Sequence, residues 1–480
     1  MKNKNLIRIL LNSINIIGFI FLFLAPIIVI SFSIKEKNIS IFLWWMFLYL
    51  IGLLIAWLIK ENNVQHVLIA FSIVYSISTV AVNFIYNDLE KQNGTPFQVS
   101  DDIVYHRNAL SAVNYGISGF GDAVYYFYKE KGHKDGSYYY TAFIASIYNQ
   151  FIKWGFDANP IIPRYLNSFF LGLLGLVVFS FGNLINLSIN TAKVSGYVAS
   201  LWPLLLYHSA IIRRDTIFAF FLLVSLYLIA IFLKKKNNIN LFRLLVLFIS
   251  VLIVSKLRTG FFLIYLILLF ITIFLYYKDI TIKIVYRFKL VHFLFFAFIV
   301  LLIFHNHITP EFINENKKEF FEQFSNYLNR RGNYSEKGIG SFIFRLPVVL
   351  NIPIRLLYAS LSPFPSLTHL SYNIRWLGTI PWFISVPILL RSLVFALKTK
   401  EKSYLPIKFL SIAFITYYVV INVVSFTETQ QMMYVPLGVL LIFYGIENQK
   451  TSLKSIYSIN GMIILFVLLY IMYFILKFVI

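Results

Sequence analysis

Asp101 and Asp102 open the stretch DDIVYH, in which Asp102, Tyr105, His106 and Ala109 recur at i, i+3, i+4 and i+7 and so share one helical face. A carboxylate held at a membrane surface can take the proton of a sugar hydroxyl as that oxygen attacks an anomeric carbon, and His106 or His133 could accompany it in proton transfer. The competing reading is electrostatic: acidic residues in a first turn cap free amides and oppose the helix dipole. Asp102 lies nearer the shared face, but spacing does not choose between the two aspartates.

The second constellation is Arg213, Arg214 and Asp215, placed between two apolar runs. The run from Thr216 to Leu233 is long enough to cross a hydrocarbon core of roughly 30 Å and ends in Lys234, Lys235 and Lys236, the mark of a cytoplasmic end. The arginine pair then falls on the opposite face, where the usual charge bias disfavours it unless an anion holds it. Guanidinium groups beside a helix N-terminus suit a phosphate; the plainer alternative is that they snorkel to lipid headgroups. Lys256 and Arg258, in SKLRTG, form another cationic turn on the same side, and Arg330, Arg331, Arg345 and Arg355 follow in a later external segment.

These side chains must be positioned by membrane helices. The 480 residues are 59% hydrophobic and 13% charged, which defines a polytopic membrane protein. Apolar runs predict an all-α fold of about 13 transmembrane helices, beginning near 12–32, 41–59 and 66–86 and continuing from 164–185, 193–211 and 216–233. The charged start with Lys2, Lys4 and Arg8 reads as a retained first span. About 20 Lys and Arg then fall on the side of the N-terminus and about six on the other, which predicts a cytoplasmic N-terminus. The chain reads as a single transmembrane domain, 1–480, with two long external segments at about 87–163 and 306–375. Within the latter, Ser341–Ser362 is broken by Pro347 and Pro353 and carries Arg345 and Arg355, so it reads as re-entrant or interfacial.

The same layout excludes several functions. A net charge of +22 without a basic soluble domain reflects topology, so no nucleic acid is expected. Cysteine is absent, which removes thiol nucleophiles and thiolate metal sites. No Walker A or dinucleotide motif lies in the short cytoplasmic loops, so no nucleotide cofactor is implied. No dedicated metal site is expected, since His305 and His307 do not share a helix face; a divalent cation held by the aspartates stays open. The tyrosines Tyr125, Tyr126, Tyr128 and Tyr138 to Tyr140 suit either an interfacial belt or sugar stacking.

Taken together, DDIVYH, PRYLN at Pro163 to Asn167, SAIIRRD at Ser209 to Asp215, KLRTG, LSPFP at Leu361 to Pro365 and ETQQMMYVP resemble motifs of bacterial polysaccharide-assembly membrane proteins. These are the GT-C type glycosyltransferases and the O-antigen or capsule repeat-unit polymerases. The resemblance implies a GT-C-like fold in the bacterial cytoplasmic (inner) membrane, and transfer of a saccharide from a polyprenyl-phosphate-linked donor to an acceptor glycan on the external face. It places the catalytic base on Asp101 or Asp102, with His106 beside them. Donor phosphate binding falls on Arg213 and Arg214, with Lys256, Arg258, Tyr105 and the later arginines as further substrate contacts. Here three spans precede the acidic segment, where GT-C enzymes usually have one, and Gln430 and Gln431 stand where arginine is often found. The rival function is a transporter or flippase of the same lipid-linked saccharides.

Overall fold

The computed structural model describes residues 2–59, 64–98, 101–132, 136–234, 240–258, 264–265, 268, 348–362, 370–399, 401–424, 431–448 and 460–471. Among them every regular element is a helix. Seven are long and apolar enough to cross a membrane. Most of the span expected at 260–277, and all of the one expected at 289–305, lie outside the described residues.

The first three helices are α1 (Lys2–Lys35), α2 (Ser40–Leu58) and α3 (Val64–Asn93). At 1.5 Å per residue, the 30 residues of α3 reach about 45 Å, so its last turns project beyond a hydrocarbon core of roughly 30 Å. Those turns lead to the non-spanning helices α4 (Asp101–Asn114), α5 (Phe120–Tyr125) and α6 (Ser137–Lys153). The chain then enters α7 (Ile161–Leu184), buried along nearly its whole length and packed against α2, α3 and the next elements, α8 (Ile189–Ser200), α9 (Pro203–Ser209) and α10 (Asp215–Lys234). Close crossing of α7 and α8 needs glycine: a Cβ on Gly196 would stand 2.7 Å from the Gly175 carbonyl oxygen. By contrast α1 and α2 expose Ile16, Phe19, Phe23, Leu50 and Trp57, as a lipid-facing rim would.

One expected span is corrected. The apolar run 193–211 is two helices, because α8 stops at Ser200 and Trp202 turns the chain before Pro203 opens α9 at its first position. Proline is favoured there because its missing N–H would have had no intrahelical partner. After α10 come α11 (Leu241–Leu257), α12 (Val348–Leu361), α13 (Leu370–Leu377), α14 (Thr379–Lys398), α15 (Leu405–Val424), α16 (Val435–Asn448) and α17 (Asn460–Ile471). With 14 residues, α12 extends about 21 Å, short of a full crossing.

Two compact units divide the chain: Met1–Leu268 with Tyr358–Phe466, and Leu269–Leu357 with Val467–Ile480. Within the first unit, hydrogen bonds and ion pairs sort the helix ends into two groups. Lys35 pairs with Glu90 at 2.9 Å, Asn38 donates to the Asp157 carbonyl at 3.2 Å, and Asn159 donates to Glu36 at 3.2 Å. These contacts join the ends of α1 and α3 to the start of α7. At the opposite ends, Lys193 meets His66 at 3.3 Å, Lys234 donates to Asn186 at 2.9 Å, and the Ser188 amide donates to Glu447 at 2.9 Å. Such pairing is what antiparallel spans with short loops produce.

Candidate functional site

The acidic start of α4 and the arginine turn between α9 and α10 meet at the first group of helix ends. Asp102 is fully buried, and its Oδ1 accepts the Ile212 amide at 2.7 Å. Its Oδ2 accepts the Gln98 amide at 3.1 Å and lies 3.3 Å from Nη2 of Arg164, which is also fully buried. Arg164 stands in the first turn of α7, donates to the Pro96 carbonyl, and rests its guanidinium 5.0 Å from the Tyr86 ring centroid. A buried carboxylate needs this much compensation, and the result is a clamp joining α4, α7 and the arginine turn.

Asn167, one turn further along α7, completes the clamp. Its Nδ2 donates to the carbonyls of Ile211 at 2.9 Å and Arg213 at 3.1 Å. The main chain from 211 to 213 is therefore fixed by amide and carboxylate side chains, which leaves the half-buried Arg213 and Arg214 side chains on a rigid support. Arg214 donates through Nη1 to the Leu257 carbonyl at 2.8 Å, and Arg258 forms an ion pair with Asp215. Asp215 thus takes up a cation, and that cation comes from the KLRTG turn. Lys256 lies 5.5 Å over the Tyr139 ring, and a Cβ on Gly136 would come within 2.7 Å of the Leu257 carbonyl oxygen, so α6 and the end of α11 approach closely.

Tyr105 lies near both constellations. Its phenol is within reach of Arg214, Asp215, Asp101 and Arg258, and burial pushes its pKa up to about 12. The group keeps its proton at neutral pH and is available as a hydrogen-bond donor. Asp101, one position before Asp102, is exposed. Three cationic side chains, Arg213, Arg214 and Arg258, thus gather around Asp215, with Lys256 beside Tyr139 and Asp101 exposed to water. Such an excess of guanidinium groups on a locked turn can hold an anion with several oxygens.

His106 is buried on the same face as Asp102, and its Nδ1 is 2.9 Å from the Tyr148 hydroxyl. Burial, and then the charges of Arg164 and Arg107, push its pKa down to about 4 from 6.5. The unfolded chain therefore binds more protons than the folded one between those values, and stability is lost as pH falls through this window. The expected loss is up to about 3 kcal/mol, and a His106→Gln variant removes that part of the slope. Melting of both proteins in detergent at pH 7 and pH 5 checks it.

Tyr126, Tyr138 and Tyr140 are buried, whereas Tyr125 and Tyr128 are exposed. Arg355 is buried on the part of α12 that belongs to the second unit. Gln431 is buried and donates to the Ala359 carbonyl at 3.2 Å. Arg330, Arg331, Arg345, His133 and Gln430 lie outside the described residues. Among the described residues no cluster of three His, Asp or Glu side chains suits a metal ion.

Sequence reasoning passed over Arg164 and Asn167, although both stand in the PRYLN motif. A charge in the first turn of a long apolar run was the available signal, because such a charge requires a partner. Fold and site together define a polytopic helical membrane protein with a cationic, clamped turn at one end of its helices. No protein-family model, no curated protein and no solved structure matches the chain.

Proposed function

We propose that this chain is a membrane-embedded glycosyltransferase or polysaccharide polymerase, taking a saccharide from a polyprenyl-phosphate-linked donor to an acceptor glycan on the external face. The observation that carries this reading is the arginine turn, locked by Asp102 and Asn167 beside the exposed Asp101. The larger number of Lys and Arg at the opposite helix ends supports an external position for this end, in what the proposal takes to be a bacterial cytoplasmic membrane.

In the proposed reaction the Asp101 carboxylate accepts the proton of an acceptor hydroxyl. That oxygen forms a bond to the donor's anomeric carbon while the bond from this carbon to the phosphate oxygen breaks. The electron pair leaves with the polyprenyl phosphate, whose charge Arg213, Arg214 and Arg258 oppose, with Tyr105 donating a hydrogen bond. Asp101 then returns its proton to water. Asp102 positions the turn without touching substrate, because its oxygens are engaged and enclosed.

Purified chain given a labelled lipid-linked saccharide in detergent should lengthen the glycan. Movement of the saccharide across liposomes without bond formation would instead identify a transporter and overturn the proposal.

A further inference from the structure

Asp102, Tyr105, His106 and Ala109 turn inward from α4, and the opposite side of that helix borders an open cleft of about 500 Å³, lined by Arg107, Leu110, Ser111, Asn114 and Tyr115. That volume is in the range of sites that take small molecules. Leu110 and Ser111 are half-buried, whereas Arg107, Asn114 and Tyr115 reach into water. Among the described residues, no hydrogen bond or ion pair engages the side chain of Arg107, Ser111 or Asn114. The aromatic edge of the cleft is fixed by the way α4 ends. Gly116, at φ 78°, closes a Schellman turn in which its amide donates to the Val113 carbonyl at 2.9 Å and the Ile117 amide to the Ala112 carbonyl at 3.3 Å, so Tyr115 is held in the last turn. The Tyr115 ring stands 5.5 Å from that of Tyr126, and the Lys131 ammonium lies 5.6 Å and 5.5 Å over the two rings. Lys131 reaches that place because Tyr126–Glu130 is a single π-helical turn, closed by the Lys131 amide on the Tyr126 carbonyl at 3.1 Å. Tyr126 is only 4% exposed, yet among the described residues its hydroxyl has no partner, which is unusual for a buried polar group.

We propose that this cleft binds an acidic saccharide, a glycan bearing carboxylate or phosphate substituents. Tyr115 and Leu110 present apolar surface to the C–H face of a sugar ring, while the Ser111 hydroxyl and the Asn114 amide each donate to and accept from its hydroxyl groups. Arg107 and Lys131 supply positive charge, and no carboxylate stands among the lining residues to oppose an acid. A hydrocarbon chain would satisfy none of these polar groups. Asp101 opens the same helix, and Ser111 lies ten residues on, about 15 Å along the axis, so a glycan of several sugars is long enough to join the cleft to the arginine turn. For the role of that glycan, as acceptor, the inference rests on the transferase reading; its binding does not.

Full-length protein in nanodiscs of neutral lipid, applied to an array of uronic-acid-containing, phosphorylated and neutral oligosaccharides, tests it. Acidic members should bind, and neutral ones of the same length more weakly. Tyr115→Ala should weaken the acidic ligands about 10-fold and Arg107→Gln about 3- to 5-fold, the worth of one aromatic contact and of one exposed ion pair. Arg107→Gln should leave neutral ligands unchanged. Both side chains are exposed, so both variants should melt close to the wild-type temperature. Failure of the wild type to hold any acidic member, or binding that neither substitution alters, would overturn the inference and leave the cleft to a lipid headgroup or a protein. In a transfer assay Tyr115→Ala should raise KM for the acceptor and leave kcat nearly unchanged; transfer with an unaltered KM would remove the cleft and keep the transferase. Wild type that binds through Tyr115 yet lengthens no glycan would reject the transferase reading and leave the cleft standing.

Discussion

Asp102→Ala should destabilise the protein by about 3–5 kcal/mol, the usual loss when one partner of a buried ion pair is removed. Both members of this pair have no exposed surface, so solvent cannot compensate for the missing carboxylate. The substitution strands the Arg164 guanidinium and also leaves the Ile212 and Gln98 amides without an acceptor. These groups belong to α7 and to the segments on either side of the clamp, so the arginine turn should loosen as the protein weakens. Asp102→Asn should lose less, because an amide oxygen can still accept from Ile212 although it no longer carries the charge facing Arg164. Melting in detergent measures both variants. A shift for Asp102→Ala no larger than that of an ordinary surface substitution, about 0.5 kcal/mol, would mean that the clamp does not hold the site together.

The opposite pattern is expected one residue earlier. Asp101→Asn should reduce saccharide transfer by about 10²- to 10⁴-fold, the range for loss of a positioned general base, and leave the melting temperature nearly unchanged. Its exposed carboxylate contributes to stability only through the N-terminal end of the α4 dipole, worth about 0.3–1 kcal/mol. The pair of variants therefore separates chemistry from support: one should fold and fail to transfer, the other should fail to fold well. Full transfer by Asp101→Asn would move the base elsewhere.

This division was half legible in the sequence. Helical spacing put Asp102, Tyr105, His106 and Ala109 on one face, and all four are buried in α4. What spacing could not say is that this face turns inward, which hands the water-facing position to Asp101, about 100° around the helix. Long apolar runs located α1, α2, α3, α7 and α10 well, because length and hydropathy alone define a span. The run 193–211 misled because apolar composition continues through the bend at Trp202, where only Pro203 marks a new helix. The cationic cluster of Arg213, Arg214 and Arg258 was legible from topology, since same-side loops in a compact bundle end near one another. Arg164 and Asn167 escaped notice because their roles depend on partners far along the chain, and periodicity reports only local faces.

Because the protein has no cysteine, a single Asp101→Cys substitution gives a background-free probe of the site's position. The most direct measurement is reaction of that thiol with a membrane-impermeant maleimide in right-side-out vesicles, with and without a polyprenyl-phosphate-linked saccharide. The account predicts rapid labelling from the external side, slowed when the lipid-linked saccharide is present. Labelling only after the membrane is opened to admit reagent to the cytoplasmic side would contradict it.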